Sequence, residues 1–212
     1  MATIQNGKLI DPQVEVKLYP SIEHGALGAV SSIVLHRTDS SSAAGTFSAY
    51  AGGKQTGAHF LLDKSGRIYQ TASLEKVCWH VGILLARCEV EKSCDPHELK
   101  TITSLMHKKG EGFGTRARDL SRHELGKTYP ARYPSNNDSI GIEVVGMFLP
   151  GNKAFEQPTP AQLKSVKYLV DILLKLFRLN LLSDVYAHGE IARKEVSEGA
   201  QLLQYLQSGS TP

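Results

Sequence analysis

The sequence is poor in cysteine, in tryptophan and in net charge, and each shortage removes a class of protein. Three cysteines among 212 residues are too few, and odd in number, for a disulfide scaffold. They do not form the paired C-x2-C spacing of a zinc ribbon, so a structural zinc module is excluded. A formal net charge of +3 is too mild to argue for nucleic acid, although it suits a polyanionic polymer. No apolar run approaches the ~18 residues that a membrane helix needs. The opening stretch, MATIQNGKLIDPQVEVKLYP, lacks the apolar core of a secretion signal. These absences predict a chain made in the cytoplasm, without a membrane span, that needs another agent to carry it to any target outside.

What is present is ordinary in bulk and unusual in one respect. With 41% hydrophobic and 21% charged residues, the chain reads as globular. Its length suits one core better than two. The unusual feature is eight histidines, enough for a soluble enzyme to build a metal site.

Residues 1–28 are Gly/Pro-punctuated and predict an extended arm over the core. Ser31 to His36 is a short run of strand formers that ends on a histidine. A helix through about Tyr50 follows, capped by Ser40 to Ser42 and ended by Gly52-Gly53. Residues 58–62 and 67–70, joined across Asp63 to Gly66, predict a β-hairpin. Residues 83–134 are polar and basic and predict a long insertion with one helix at about 96–108. There Asp95 is the N-cap, Pro96 the first helical residue, and Leu99, Ile102 and Met106 the apolar stripe. Ser139 to Gly146 is a second core strand. Thr159 and Gln162 form a capping box for a helix to about Leu179 with Leu163, Val166, Val170, Leu173 and Phe177 on one face. Val185 to His188 is a short strand that ends, again, on a histidine. The Ser/Gly/Thr/Pro tail after Gln207 is expected to fray. Strands alternating with helices predict the α/β class, with a central mixed sheet flanked by helices in one domain over residues 1–212.

Two histidines at strand ends, His36 and His188, stand where α/β proteins place ligands. Neutral imidazole is a common zinc ligand. In the strand 139–146, Ile140, Ile142 and Val144 share one face and Glu143 points to the other. A carboxylate there is costly unless partnered. It is either the mate of a structural Arg or Lys, or a general base for metal-activated water.

The order of five motifs is specific. Ile33-Val34-Leu35-His36-Arg37-Thr38, then Gly57-Ala58-His59-Phe60-Leu61-Leu62, then Trp79-His80-Val81-Gly82, then Asn136 to Glu143, then His188 to Lys194 together resemble the zinc-dependent type 2 N-acetylmuramoyl-L-alanine amidases. These share a superfamily with the peptidoglycan recognition proteins. The resemblance spans about residues 30–206. It implies Zn2+ as cofactor, with His36 and His188 as ligands, Glu143 as the acidic residue acting on water, and Lys194 as the lysine stabilising the oxyanion. It also implies that His59, His80, Trp79 and Asn137 bind substrate. Relatives place an Asp or Cys two residues after that lysine; here the position is Val196, which cannot bind metal. Glu198 is the favoured third ligand and Glu195 the second choice.

The resemblance thus implies a peptidoglycan hydrolase that cuts the amide between N-acetylmuramic acid and L-alanine. The alternative is a recognition module without catalysis. Absence of a signal and of wall-binding repeats fits a phage endolysin or, better, an antibacterial effector exported to a target periplasm, with type VI secretion as a route and a periplasmic immunity protein as partner. His24, His97, His107 and His123 have no ligand-like context. Cys88 and Cys94 are equally readable as a disulfide or as free thiols. The run Arg116, Arg118, Arg122 and Lys127 reads as solvated surface or as a contact for the anionic wall polymer or a partner protein.

Overall fold

A computed structural model describes residues 2–209 of the protein. The arm carries strands β1 (Thr3–Gln5), β2 (Lys8–Ile10), β3 (Val14–Val16) and β4 (Glu23–Ala26). Strand β5 (Ser32–Arg37) leads to helix α1 (Ala43–Ala51), strands β6 (Phe60–Leu62), β7 (Ile68–Gln70) and β8 (Lys76–Cys78), and then helices α2 (Arg87–Val90), α3 (Pro96–Met106) and α4 (Phe113–Leu125). Strands β9 (Ser139–Val144), β10 (Phe148–Leu149) and β11 (Ala154–Phe155) precede helices α5 (Pro160–Phe177) and α6 (Leu181–Asp184). Strand β12 (Val185–Ala187) and helices α7 (His188–Ile191) and α8 (Ala200–Ser208) complete the order. The last three residues of the tail expected to fray lie outside the described residues.

A six-stranded mixed sheet in the order β12-β5-β9-β6-β7-β3 organises the protein. The three pairings from β12 to β6 are parallel, and the β6–β7 hairpin is antiparallel. The arm does more than lie over the core. Its β3 pairs in parallel with β7 and forms an edge of the sheet, and β4 pairs with β8. Three-residue strands carry too little alternation to announce this in sequence.

Alternation along the central strands divides their side chains between two layers. Ile33, Leu35, Phe60, Leu62, Ile140, Ile142 and Val144 pack on the helix side, against Val166, Leu169, Val170 and Leu173 of α5 and Leu202, Leu203 and Leu206 of α8. Burying each such side chain is worth about 1.5–3 kcal/mol. Helix α5 starts at the expected capping box, where Thr159 accepts from the Gln162 amide and Gln162 from that of Thr159. The opposite face carries Val34, Val81, Leu84, Tyr133, Ile191 and Ala192. His36 and Glu143 point to this face.

Helix α3 begins as expected, with the Asp95 carboxylate accepting from the amides of His97 and Glu98. Its stripe is rotated, however. Ile102 is buried against Ala86 and Leu120 with Leu105 and Met106 alongside, whereas Leu99 is exposed. The insertion holds two further helices. In α4 the inward residues are Ala117, Leu120, Ser121 and Glu124, a set too polar to register as an apolar stripe. Cys88 and Cys94 form a disulfide. Among the described residues, no helix is long and apolar enough to cross a membrane.

Candidate metal centre and active-site cleft

The register of three parallel strands builds the site. Ala187 of β12 pairs with Leu35 of β5, so His188 follows at the level of His36. His36 in turn pairs with Glu143 of β9. Three candidate site side chains are therefore brought to the same end of the sheet. They open into a cavity of about 1100 Å3, ample for a peptide bearing a sugar.

At the base of the cavity, His36 Nδ1 lies 2.8 Å from His188 Nδ1. Glu198 Oε1 lies 2.7 Å from His188 Nδ1 and 3.5 Å from His36 Nδ1. All three residues are buried. Glu198 arrives by a tight turn: its amide donates to the Glu195 carbonyl, and Gly199 follows at φ +83°. A Cβ on Gly199 would stand 2.2 Å from the Leu35 carbonyl oxygen, so only glycine lets this turn pack on β5. Glu195 is exposed and offers no atom to the cluster.

Burial, reinforced by His188, pushes His36 down to about 4, which leaves its ring neutral at pH 7. For Glu198, burial works upward, but the hydrogen bonds to His188 and His36 outweigh it and hold the carboxyl below its usual range. Two imidazole nitrogens and a carboxylate oxygen thus converge within 4.8 Å of one another. Such a set is stable only around a single positive charge, either a shared proton or a metal cation.

Glu143 stands beside this group. Its Oε2 is buried without a hydrogen-bond partner. Burial, and then the negative Glu198, raise its carboxyl to about 8, against the pull of Lys54, Lys194 and Arg37. Lys194 is exposed on the cavity wall. The neighbouring Arg37 is buried, donates to the Val145 and Glu156 carbonyls at 3.3 and 3.1 Å, and is pushed by burial down to about 10.

The residues expected to touch substrate divide. Trp79 lines the cavity, is 45% exposed, and stacks on His24 with centroids 3.6 Å apart. His80 also lines it, but its ring is mostly covered and touches His36. His59 does not line it: the ring is fully buried, accepts from the Gly141 amide at 3.1 Å and bonds the Lys76 carbonyl at 2.9 Å. It ties β9 to β8, which corrects the expectation of a cleft residue. Asn137 is likewise exposed away from the cavity, and its neighbour Asn136 lines the wall instead. Lys54, Phe113 and Arg193 are among the further lining residues that the sequence did not announce. Phe113 comes from the insertion and lies under the Arg193 guanidinium at 4.8 Å.

The family model for N-acetylmuramoyl-L-alanine amidase matches residues 26–200. The chain belongs to the N-acetylmuramoyl-L-alanine amidase family. Solved structures agree in fold. AmpD, as a selenomethionine derivative, aligns with a TM-score of 0.55 at 16% identity, covering 97% of this chain and 98% of its own. A mutant endolysin from Bacillus subtilis gives 0.51 at 17% identity, covering 91% and 97%. The catalytic domain of XlyA gives 0.52 at 17%, covering 91% and 98%. No curated protein is a significant sequence match. The amidase is therefore an enzyme acting on peptidoglycan, on the mixed α/β fold of its family, with a His-His-Glu group able to hold a metal ion.

Proposed function

We propose that the amidase is a zinc enzyme in which His36, His188 and Glu198 hold the ion. The convergence of their three donor atoms at the floor of the cleft carries this reading. Two imidazoles and one carboxylate suit zinc and leave a position open for water or substrate. When bound, zinc supplies a Lewis acid that polarises the scissile carbonyl and makes water acidic.

The remaining work falls to the chain. Glu143, one strand away from His36, takes the proton from the attacking water and returns it to the leaving L-alanine amine. Its raised affinity for a proton suits a group that must pick one up and release it near neutrality. Lys194 places a positive charge beside the developing oxyanion. Trp79 offers an aromatic wall to the substrate, and His80 lines the floor.

Digestion of purified sacculi followed by mass spectrometry tests the reaction: stem peptides with a free L-alanine N-terminus are expected, and cuts confined to the sugar chain or within the peptide would refute it. Metal analysis should return about one zinc per chain; a metal-free protein that still binds muropeptides would favour the recognition-module alternative.

The site of action we propose is the periplasmic wall of a target cell, reached by export as an antibacterial effector, with a periplasmic immunity protein as the partner that protects the producer. The Cys88–Cys94 disulfide supports this, since such bonds persist in oxidising compartments. Expression with and without an added export signal tests it: lysis only with the signal is expected, and equal lysis in both forms would count against it.

A further inference from the structure

We propose that the dipeptide His80–Val81, held in place by Asn136, orients both imidazoles of the metal centre and fixes which ring nitrogen each presents. This rests on the reading that His36 and His188 are ligands.

One hydrogen-bond chain begins at Ser139. Its hydroxyl lies 2.6 Å from the Ser135 carbonyl oxygen, an acceptor only, so the hydroxyl proton is committed there. The Ser139 oxygen then accepts from His80 Nε2 at 3.3 Å. With its proton on Nε2, the neutral His80 ring has a bare Nδ1, which accepts from His36 Nε2 at 3.0 Å. That leaves His36 Nδ1 bare and facing the cluster. The neighbouring residue acts on the second ligand. The Val81 carbonyl accepts from His188 Nε2 at 2.7 Å, which turns Nδ1 of His188 to the cluster too.

Both halves are pinned by one side chain. Asn136 Oδ1 accepts from the backbone amides of His80 at 2.9 Å and Val81 at 2.8 Å. Strand β9 leaves room for the His80 ring at Gly141, where a Cβ would stand 2.8 Å from His80 Nδ1. Partners of this kind set the ring orientation and basicity of metal-binding histidines, and their loss costs about 10- to 100-fold in metal affinity. His80, Val81 and Asn136 are thus positioning residues that act through His36 and His188.

The test has two readouts. In the metal-free protein, nitrogen NMR of the imidazoles should find a proton on His36 Nε2 whether or not the cluster holds its shared proton; a bare Nε2 with the ring proton on Nδ1 would overturn the proposal. Zinc affinity, measured by competition with a chromogenic chelator, should fall about 10- to 100-fold in His80→Phe. It should recover in His80→Asn, whose Oδ1 can occupy the place of Nδ1. Equal affinities in wild type and His80→Phe, or equal losses in both variants, would overturn it. Should His80→Phe fail to fold, Asn136→Leu, which removes the acceptor, is compared with Asn136→Asp, which keeps it. A loss in the first that recovers in the second supports the proposal, and equal affinities overturn it. A wild-type protein that binds no zinc would defeat the metal reading, while the nitrogen spectrum would still decide the tautomers.

Discussion

The end of the central sheet and the insertion at 83–134 are built on opposite plans. At the sheet end, His36 and Glu143 sit on paired strands and His188 directly follows β12, and the ring nitrogens of both histidines have assigned partners. In the insertion, short helices are held by their own small cluster and by a network of ion pairs. Lys127 bridges Glu98 and Glu124, and His123 joins Glu98 at 2.8 Å. The two regions meet where Ile83 and Leu85 exchange backbone bonds with Arg193 and Ile191. The contrast teaches that the proposed chemistry is placed on the paired strands, while the insertion contributes Phe113 to the cavity wall, against Arg193.

The strongest way to break this contrast is at the metal. His36→Ala should remove zinc and lower kcat/KM at least about a thousandfold, since the ion is worth several kcal/mol of transition-state stabilisation. Zinc content and activity should fall together; retained activity without zinc would sink the metal reading.

Glu143→Gln should lower kcat about 100- to 10,000-fold with zinc content unchanged. It also has a stability signature. A carboxyl raised from about 4.5 to about 8 on folding binds its proton more tightly in the native state. Native stability is therefore lost as pH rises between those values, and kept below them. The metal-free Gln variant should accordingly be more stable than wild type at pH 8, by on the order of 1–3 kcal/mol, and indistinguishable at pH 4. Denaturant midpoints at the two pH values check the sign.

Lys194→Ala should lower kcat about 100-fold or more and leave KM near its original value, because its charge matters most in the transition state. The insertion should respond differently. Replacing Cys88 and Cys94 by serine should cost about 2 kcal/mol for a loop this short, seen as a lower Tm, with zinc affinity unchanged. Trp79→Ala is expected to have the smallest effect, a several-fold rise in KM on polymeric wall with kcat conserved, measured by release of soluble peptide.

Much of the sheet end was legible in the sequence because its signals are local. Apolar runs ending on His36 and His188, the Thr159 capping box and the Asp95-Pro96 helix start each state a physical preference within a few residues. The failures are equally local in cause. Helix α4 buries Ala117, Ser121 and Glu124, so its inward face looks polar. The arm's β3 is three residues long and declares itself only through its partner β7. His59 and His80 both follow small or aromatic residues in their motifs, and nothing nearby says that the first ring would be sealed inside the sheet and the second would face the cleft. The Asn136–Asn137 pair shows the limit most plainly: one turn residue reaches the cleft and its twin looks outward, a choice made by the loop's path and not by residue type.

The level alignment of β12, β5 and β9 has a further consequence. Hydrogen-bonded strands lie about 4.8 Å apart, so the separations between His188, His36 and Glu143 are set by the ladder of the sheet, as marks are set on a ruler. Loops around that ruler can lengthen, shorten or be exchanged without rescaling it. Selection on what enters the cleft is thereby uncoupled from selection on what happens there.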